Sequence, residues 1–363
     1  MKPNIFNYAT SELSQDAVLC WMLDWANFDN KIMSDFAKDF IRLILELHQY
    51  EDQDLDNLEK VEIKRQYKNI DILVLLHFSS SIIPIIIEDK TYTKTHSNQL
   101  KRYYEFILKD QEGKSAIRKP LGIYYKTGFI YDNEMKEVEE RGYKVIGKVE
   151  MLDLMKQYTG QAGSDILKDY YQHISRLADW ESQLSAIIQE NKTEKTADLL
   201  RTPEGQWMFM REIFRNYEEG VLYNGTNPNG SPWTQYRIIP YNSCKELPDA
   251  IFYRVDNRKE GYYIAIRQYL KIDKKSPEYN SLLEAKKERL ERLKGCFDRT
   301  LKILGANTKE ILECGKISKS GNFESEIGVF FINEKNTLSK VIEIIPKFNE
   351  AFKQEIEKTF NHQ

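Results

Sequence analysis

Cysteine is scarce in this chain of 363 residues: Cys20, Cys244, Cys296 and Cys314 are all there is. None forms a CxxC pair, and a chain of this length needs no disulfide stapling, so reduced and mostly buried thiols are expected. The five histidines are scattered without zinc spacing. No apolar run reaches the ~18 residues of a membrane span, and the opening "MKPNIFNYATSELSQD" has no apolar core of signal-peptide length. These absences predict a soluble, cytoplasmic protein that makes no membrane contact. Charge of one sign is lacking too. The formal net charge of −3 provides no global basic field, so a nucleic-acid partner would need a local patch. Phosphate-cradling and nucleophile motifs are also missing. "EGKSA" at 112–116 resembles a P-loop tail, but Leu108 stands where a glycine is required. "NPNGSPW" is a turn-rich loop and not a dinucleotide fingerprint, and no GxSxG elbow occurs.

Apolar residues, at 41%, are plentiful enough for a sizeable core, and the length fits one large domain or two ordinary ones. "TSELSQDAVLCWMLDWAN" predicts a helix capped by Thr10 or Ser11, with Leu13, Ala17, Cys20, Trp21 and Met22 near one face. "SDFAKDFIRLILELHQY" predicts a second, striped by Phe36, Phe40, Leu43, Ile44 and Leu47. Three strands follow, at about Val61–Tyr67, Ile70–Phe78 and Ile82–Asp89. The serines between the last two are too short a link for a parallel crossover, so those strands should pair antiparallel. Their apolar residues do not alternate with polar ones, which implies burial on both faces.

A helix at "SNQLKRYYEFILKD", a strand at "KPLGIYYKTGF" and a strand leading into a helix at "YKVIGKVEMLDLM" come next. A crossover helix makes the sheet mixed, with helices on both faces. A long amphipathic helix spans about 165–192 and ends at "NKTEKT", the expected boundary. Beyond it lie a helix at "TPEGQWMFMREIF", a loop at "NGTNPNGSP" and strands at "TQYRII", "AIFYRV" and "YYIAIRQYL". A charged helix, the strand "EIGVFFI" and a closing helix complete an α+β half.

The chemistry concentrates in "NIDILVLLHFSSSIIPIIIEDK". Residues two apart on a strand share a face, so Glu88 and Lys90 project together and Asp89 turns away. A hairpin centred on the serines brings Asp71 to the same end. Two close carboxylates repel unless a cation lies between them, and all-oxygen ligation favours Mg²⁺ or Mn²⁺. Taken singly, Asp71 reads as a strand entry and Glu88–Lys90 as a solvated strand exit. Taken together, three charges at one end of an apolar hairpin favour a site.

The order Asp, hairpin, Glu-x-Lys resembles the PD-(D/E)XK nuclease superfamily, whose core is an αβββαβ arrangement. Asp71 matches the motif aspartate, with Ile70 where the name-giving proline would stand, and Glu88 and Lys90 match the ExK arm as "EDK". Glu12 in "ATSELSQDAVLCWML" matches the extra carboxylate usual on the first core helix. "NQLKRYY", with Gln99 and Tyr103 four apart, is similar to the QxxxY motif of the exonuclease-like branch. The resemblance covers about residues 4–155.

It implies an α/β fold: a restriction-endonuclease-like αβββαβ core with a mixed sheet flanked by helices, plus a C-terminal α+β region. The expected division is a nuclease-like domain at 1–160, a helical connector at 161–200 and a C-terminal domain at 201–363. The implied activity is metal-dependent hydrolysis of nucleic acid, DNA foremost, with Mg²⁺ or Mn²⁺ as cofactor. Asp71, Glu88, the Asp89 carbonyl and Glu12 are the implied metal ligands. Lys90 would position and activate water, and Gln99 would orient Lys90. Glu12 reads equally as a first-turn residue favoured by the helix dipole.

Lys94, His96, Lys101 and Arg102 cluster at a helix start where a phosphate could be held, and Lys64, Arg65 and Lys68 flank the Asp71 strand. A solvated charged face is the competing reading for both groups. Tyr104 reads as packing and Tyr103 as packing or phosphate-side contact. The basic-aromatic tract "YRVDNRKEGYYIAIRQYLKIDKK" suits nucleic-acid contact, and a plain antiparallel hairpin explains it as well. The C-terminal half is left to recognise substrate, a protein partner or a second copy of the chain. The alternative function is a catalytically silent module of the same fold that binds nucleic acid or protein. Nothing in the residues chooses between DNA processing and phage defence.

Overall fold

The structure is a computed structural model. It describes residues 3–9, 11–50, 54–93, 98–110, 116–160, 164–217, 220–238, 249–258, 261–270, 273–305, 312–313 and 324–360. The chain divides into two compact units, Met1–Glu181 and Ser182–Gln363.

In the first unit, helices α1 (Glu12–Asp24) and α2 (Lys31–Leu47) precede strands β1 (Leu58–Tyr67), β2 (Ile70–Phe78) and β3 (Ser81–Lys90). Helix α3 (Gln99–Asp110) crosses over to β4 (Leu121–Lys126); α4 (Asp132–Glu140), β5 (Tyr143–Ile146) and α5 (Lys148–Thr159) follow. The five strands lie in chain order. The first three are antiparallel, and β4 and β5 join them in parallel. Mixed pairing and flanking helices make this the expected α/β class.

Lys68 and Asn69 link β1 to β2, both with positive φ, which suits the right-handed twist of a two-residue hairpin. Ile72 pairs with Ile87 and Phe78 with Ser81, so a two-residue turn joins β2 to β3. Ile72, Val74, Leu76, Ile83, Ile85 and Ile87 pack with Leu19 and Met22 of α1 and Phe36, Phe40 and Ile44 of α2. Ile70, Leu73 and Ile86 pack on the other side with Leu100, Tyr103 and Ile107 of α3. Each fully buried isoleucine contributes about 1.5–3 kcal/mol. A one-residue slip would turn each side chain to the other face and out of its packing, so burial on both sides pins the register.

Two expectations for this unit need correction. Helix α1 is rotated from the stripe read in its sequence: Leu13 is exposed, and Gln15, Asp16, Leu19, Met22 and Leu23 are buried. Polar residues occupy inward positions, so the apolar pattern mispoints. Helix α4 was not anticipated. Its "DNEMKEVEE" buries only Glu134 and Val138, too thin a stripe to read. Ser11 caps α1 by accepting from the Ser14 amide, and Thr10 lies outside the described residues.

Helix α6 (Asp165–Gln189) carries the chain past the division at 181/182. The second unit then adds α7 (Thr196–Leu200), α8 (Pro203–Ile213), β6 (Gly220–Thr226), β7 (Pro232–Ile238), β8 (Asp249–Arg258) and β9 (Gly261–Leu270). It closes with α9 (Tyr279–Leu304), β10 (Leu312–Glu313), β11 (Glu324–Ile332) and α10 (Leu338–Phe360). Its sheet is antiparallel in the order β10-β11-β9-β8-β7-β6. Tyr253, Val255, Ile264 and Ile266 face a core with Phe297 of α9 and Phe348 and Phe352 of α10. The loop expected at "NGTNPNGSP" is shorter than read. Asn224–Thr226 belong to β6, and Gly225 pairs with Trp233, whose ring would lie 2.4 Å from any added Cβ.

Candidate active site at the end of the central hairpin

Continuing the β2–β3 register sets Asp71 opposite Glu88. Both lie on the α3 side of the sheet with Lys90. The Lys90 ammonium stands 2.6 Å from Glu88 Oε1 and 3.5 Å from Asp71 Oδ2, and donates to the Asp89 carbonyl at 2.8 Å. Asp71 Oδ2 also accepts from the Asp89 amide at 3.0 Å, which fixes its rotamer against the neighbouring strand. Three oxygens from two strands thus converge on one cationic nitrogen.

The electrostatics are costly. Glu88 is fully buried, and its Oε2 has no hydrogen-bond partner. Burial first, and then the charge of Asp71, push its pKa up to about 7 in spite of Lys90. Burial works against the charge of Lys90, but Glu88, Asp71 and Glu12 outweigh it and hold its pKa above the ordinary lysine value. A hard divalent cation matches this oxygen set: two carboxylates, one with an orphaned buried oxygen, and a main-chain carbonyl already oriented toward positive charge. Among the described residues no three His, Cys, Asp or Glu side chains gather as a metal cluster. The fit therefore rests on the main-chain carbonyl as much as on the acids.

Helix α1 supplies the opposite wall. Glu12 Oε1 accepts from the Thr91 amide at 3.4 Å and from the Thr93 hydroxyl at 2.5 Å. One turn on, Gln15 donates to Asp89 Oδ1 at 2.5 Å and to the Lys90 carbonyl at 3.1 Å, and accepts from Thr127 at 2.7 Å. Asp16 accepts from Gln66, which also reaches Asp71 at 3.4 Å. Burial raises the pKa of both Asp16 and Asp89, and an oxygen of each, Asp16 Oδ1 and Asp89 Oδ2, is buried without a hydrogen-bond partner. The Asp89 side chain is thus held on the α1 side, while its carbonyl faces Lys90.

The remaining expected residues are placed unevenly. Gln99 is half-buried and donates to the Tyr103 hydroxyl at 3.0 Å, and no hydrogen bond joins it to Lys90. Tyr103 is buried under α3 with Arg102 5.2 Å above its ring, and Tyr104 packs at the edge of the same cluster. Lys101 is exposed and paired with Glu105. Lys94 and His96 lie outside the described residues. Lys64 pairs with Glu62 at 3.1 Å, and Arg65 donates to the Leu13 carbonyl at 3.3 Å.

Sequence reasoning missed Gln15, Asp16, Gln66, Thr93, Lys126 and Glu134. The one usable signal was on α1. Glu12, Gln15 and Asp16 fall at i, i+3 and i+4, a polar face where a core helix should be apolar.

In the second unit, Arg254 and Arg267 of the basic-aromatic tract do not present a basic surface. Arg254 pairs with Asp256 and Glu324 at 3.2 and 3.3 Å, and Arg267 pairs with Glu324 at 2.9 Å and also with Asp256. The antiparallel hairpin β8–β9 accounts for these residues.

No curated protein and no solved structure matches the chain. The model of the PD-(D/E)XK nuclease superfamily matches residues 3–202. The chain belongs to the PD-(D/E)XK nuclease superfamily.

Proposed function

We propose that this member of the superfamily is a divalent-metal-dependent nuclease that hydrolyses phosphodiester bonds, with DNA as its preferred substrate. The reading is carried by one observation: Asp71, Glu88 and the Asp89 carbonyl converge on the Lys90 ammonium, and Glu88 keeps a buried oxygen without a partner. Asp71, Glu88 and the Asp89 carbonyl would hold Mg²⁺ or Mn²⁺, with Glu12 beside them. When bound, such an ion polarises a phosphoryl oxygen and makes bound water more acidic.

The chain's own residues do the rest. Lys90 lies at the carboxylate pair, where its ammonium can hold the attacking water and offset charge on the phosphate. Asp71 is oriented by the Asp89 amide on Oδ2 and by Gln66 on Oδ1. Gln15 braces the exit of β3 from behind, keeping the Asp89 carbonyl turned toward Lys90. On α3, Lys101 and Arg102 would contact the nucleic-acid backbone, beside Gln99 and the buried Tyr103. The second unit is assigned to recognition of substrate or a protein partner.

The test is cleavage of linear and circular DNA, with RNA alongside, in Mg²⁺ or Mn²⁺. Lys90→Ala should abolish cutting and leave folding intact. A variant that cuts at the wild-type rate overturns the mechanism. Nucleic-acid binding without cleavage in each divalent ion would instead favour a silent binding module.

A further inference from the structure

Lys126 lies one strand from Lys90, in register with it across the parallel β3–β4 pair. Its side chain is fully buried, and the role described for the site does not use it. Its ammonium donates to Glu134 Oε1 at 2.6 Å and to the Thr93 carbonyl at 2.9 Å. Glu134 is held in turn by the Tyr124 hydroxyl at 2.5 Å and the Tyr131 amide at 3.4 Å. Tyr124 pairs across the strands with Glu88. Burial lowers the Lys126 pKa even with Glu134 beside it, so a charged group is kept there at a cost.

The segment Thr91–Thr93, whose last carbonyl Lys126 holds, is gripped from its other side. The Thr93 hydroxyl and the Thr91 amide both donate to Glu12 Oε1. Gly128 lets the segment lie flat against the end of β4, because a Cβ there would stand 2.0 Å from the Thr91 carbonyl oxygen. The chain from Glu134 through Lys126 and Thr93 to Glu12 is unbroken, and Glu12 is close enough to bias the charge of both Glu88 and Lys90.

We propose that Lys126 is a positioning residue: with Glu134 it clamps the Thr91–Thr93 segment, and that segment holds the Glu12 carboxylate in place to tune the affinity of the Asp71–Glu88 site for a divalent cation. The inference rests on the nuclease reading. A neutral side chain at 126 frees Thr93, and Glu12 loses its aim without itself being changed. Loss of an outer hydrogen-bond partner of a metal-site ligand weakens metal binding about 10–100-fold.

The experiment is Mn²⁺ binding to the full chain by calorimetry, without substrate. Thr93 is exposed, so Thr93→Val removes the hydroxyl link with little risk to folding. Thr93→Val and Lys126→Met should each weaken Mn²⁺ about tenfold. In a Glu12→Gln background, Thr93→Val should add nothing. In cleavage assays the metal concentration for half-maximal rate should rise, with the rate at saturating metal preserved. If Lys126→Met fails to fold, Thr93→Val decides. Wild-type Mn²⁺ affinity in Thr93→Val, or an equal loss in the Glu12→Gln background, overturns the clamp. A wild-type chain that binds no Mn²⁺, or binds it equally after Glu88→Gln, overturns the nuclease reading and the clamp with it.

Discussion

Each unit of this protein buries a cluster of opposite charges, and the two clusters are built differently. In the second unit, Arg254 and Arg267 meet Asp256 and Glu324 through forked guanidinium contacts, with Asn227 accepting from Arg254 and the Trp233 ring beneath it. Both oxygens of Asp256 and both of Glu324 have a cationic partner. In the first unit, a single ammonium faces Glu88 and Asp71, one Glu88 oxygen is orphaned, and the Glu88 pKa rises to about 7. A cluster whose carboxylate oxygens all face guanidinium groups calls for no further cation, even though the buried Nε atoms of Arg254 and Arg267 have no hydrogen-bond acceptor. One that leaves a buried carboxylate short of charge is less stable alone and is suited to receiving a cation. Counting charges in the sequence would not separate the two.

The contrast predicts opposite responses to similar substitutions. The largest effect is expected at Lys90. Lys90→Ala should lower cleavage by at least about 10²–10⁴-fold, the range for a lost proton-handling group, with an unchanged circular dichroism spectrum. Next comes Arg267→Met, which leaves Asp256 and Glu324 with Arg254 as their remaining cation. It should destabilise the chain by about 1–3 kcal/mol in denaturant titration and leave the metal dependence of cleavage untouched. A loss of cutting in folded Arg267→Met would mean that the second cluster is not merely structural.

Glu88→Gln sharpens the comparison through pH. The folded Glu88 pKa lies above the unfolded value, so between about 4.5 and about 7 the folded state binds more protons. Stability of the metal-free chain therefore falls as pH rises through that window, by up to about 3 kcal/mol. Glu88→Gln should flatten this slope, so that the variant gains on the wild type from pH 5 to pH 8 in the presence of a chelator. Parallel curves would show that Glu88 is compensated as fully as Asp256. The smallest effect is expected at Gln99. Gln99→Ala removes only the bond to Tyr103 and should cost about 1 kcal/mol or less. If Gln99 also orients Lys90, cleavage falls about tenfold, and an unchanged rate removes Gln99 from the site.

The hairpin could be read directly because two local rules govern it. Strand residues alternate faces, and a short link forces antiparallel pairing, so Asp71, Glu88 and Lys90 follow from spacing alone. Helix α2 was legible for a similar reason, since its apolar stripe is clean. Helix α1 was not, because Gln15 and Asp16 point inward to partners on β1, β3 and beyond β4 that lie 50 or more residues away. Lys126 and Glu134 escaped for the same reason. A lysine at the end of a strand looks solvated until a helix with almost no apolar face folds over it. Arg254 and Arg267 misled in the opposite direction, because their acids at 256 and 324 come from the same hairpin and from a distant strand.

The sequence by itself determined the α/β pattern, the hairpin register and the gathering of two carboxylates and a lysine at one end of it, because these depend on backbone periodicity and turn length. Only the tertiary structure decided what those charges mean. The energy of a charge depends on burial and on partners within a few ångströms, and both are set by packing between segments distant in the chain.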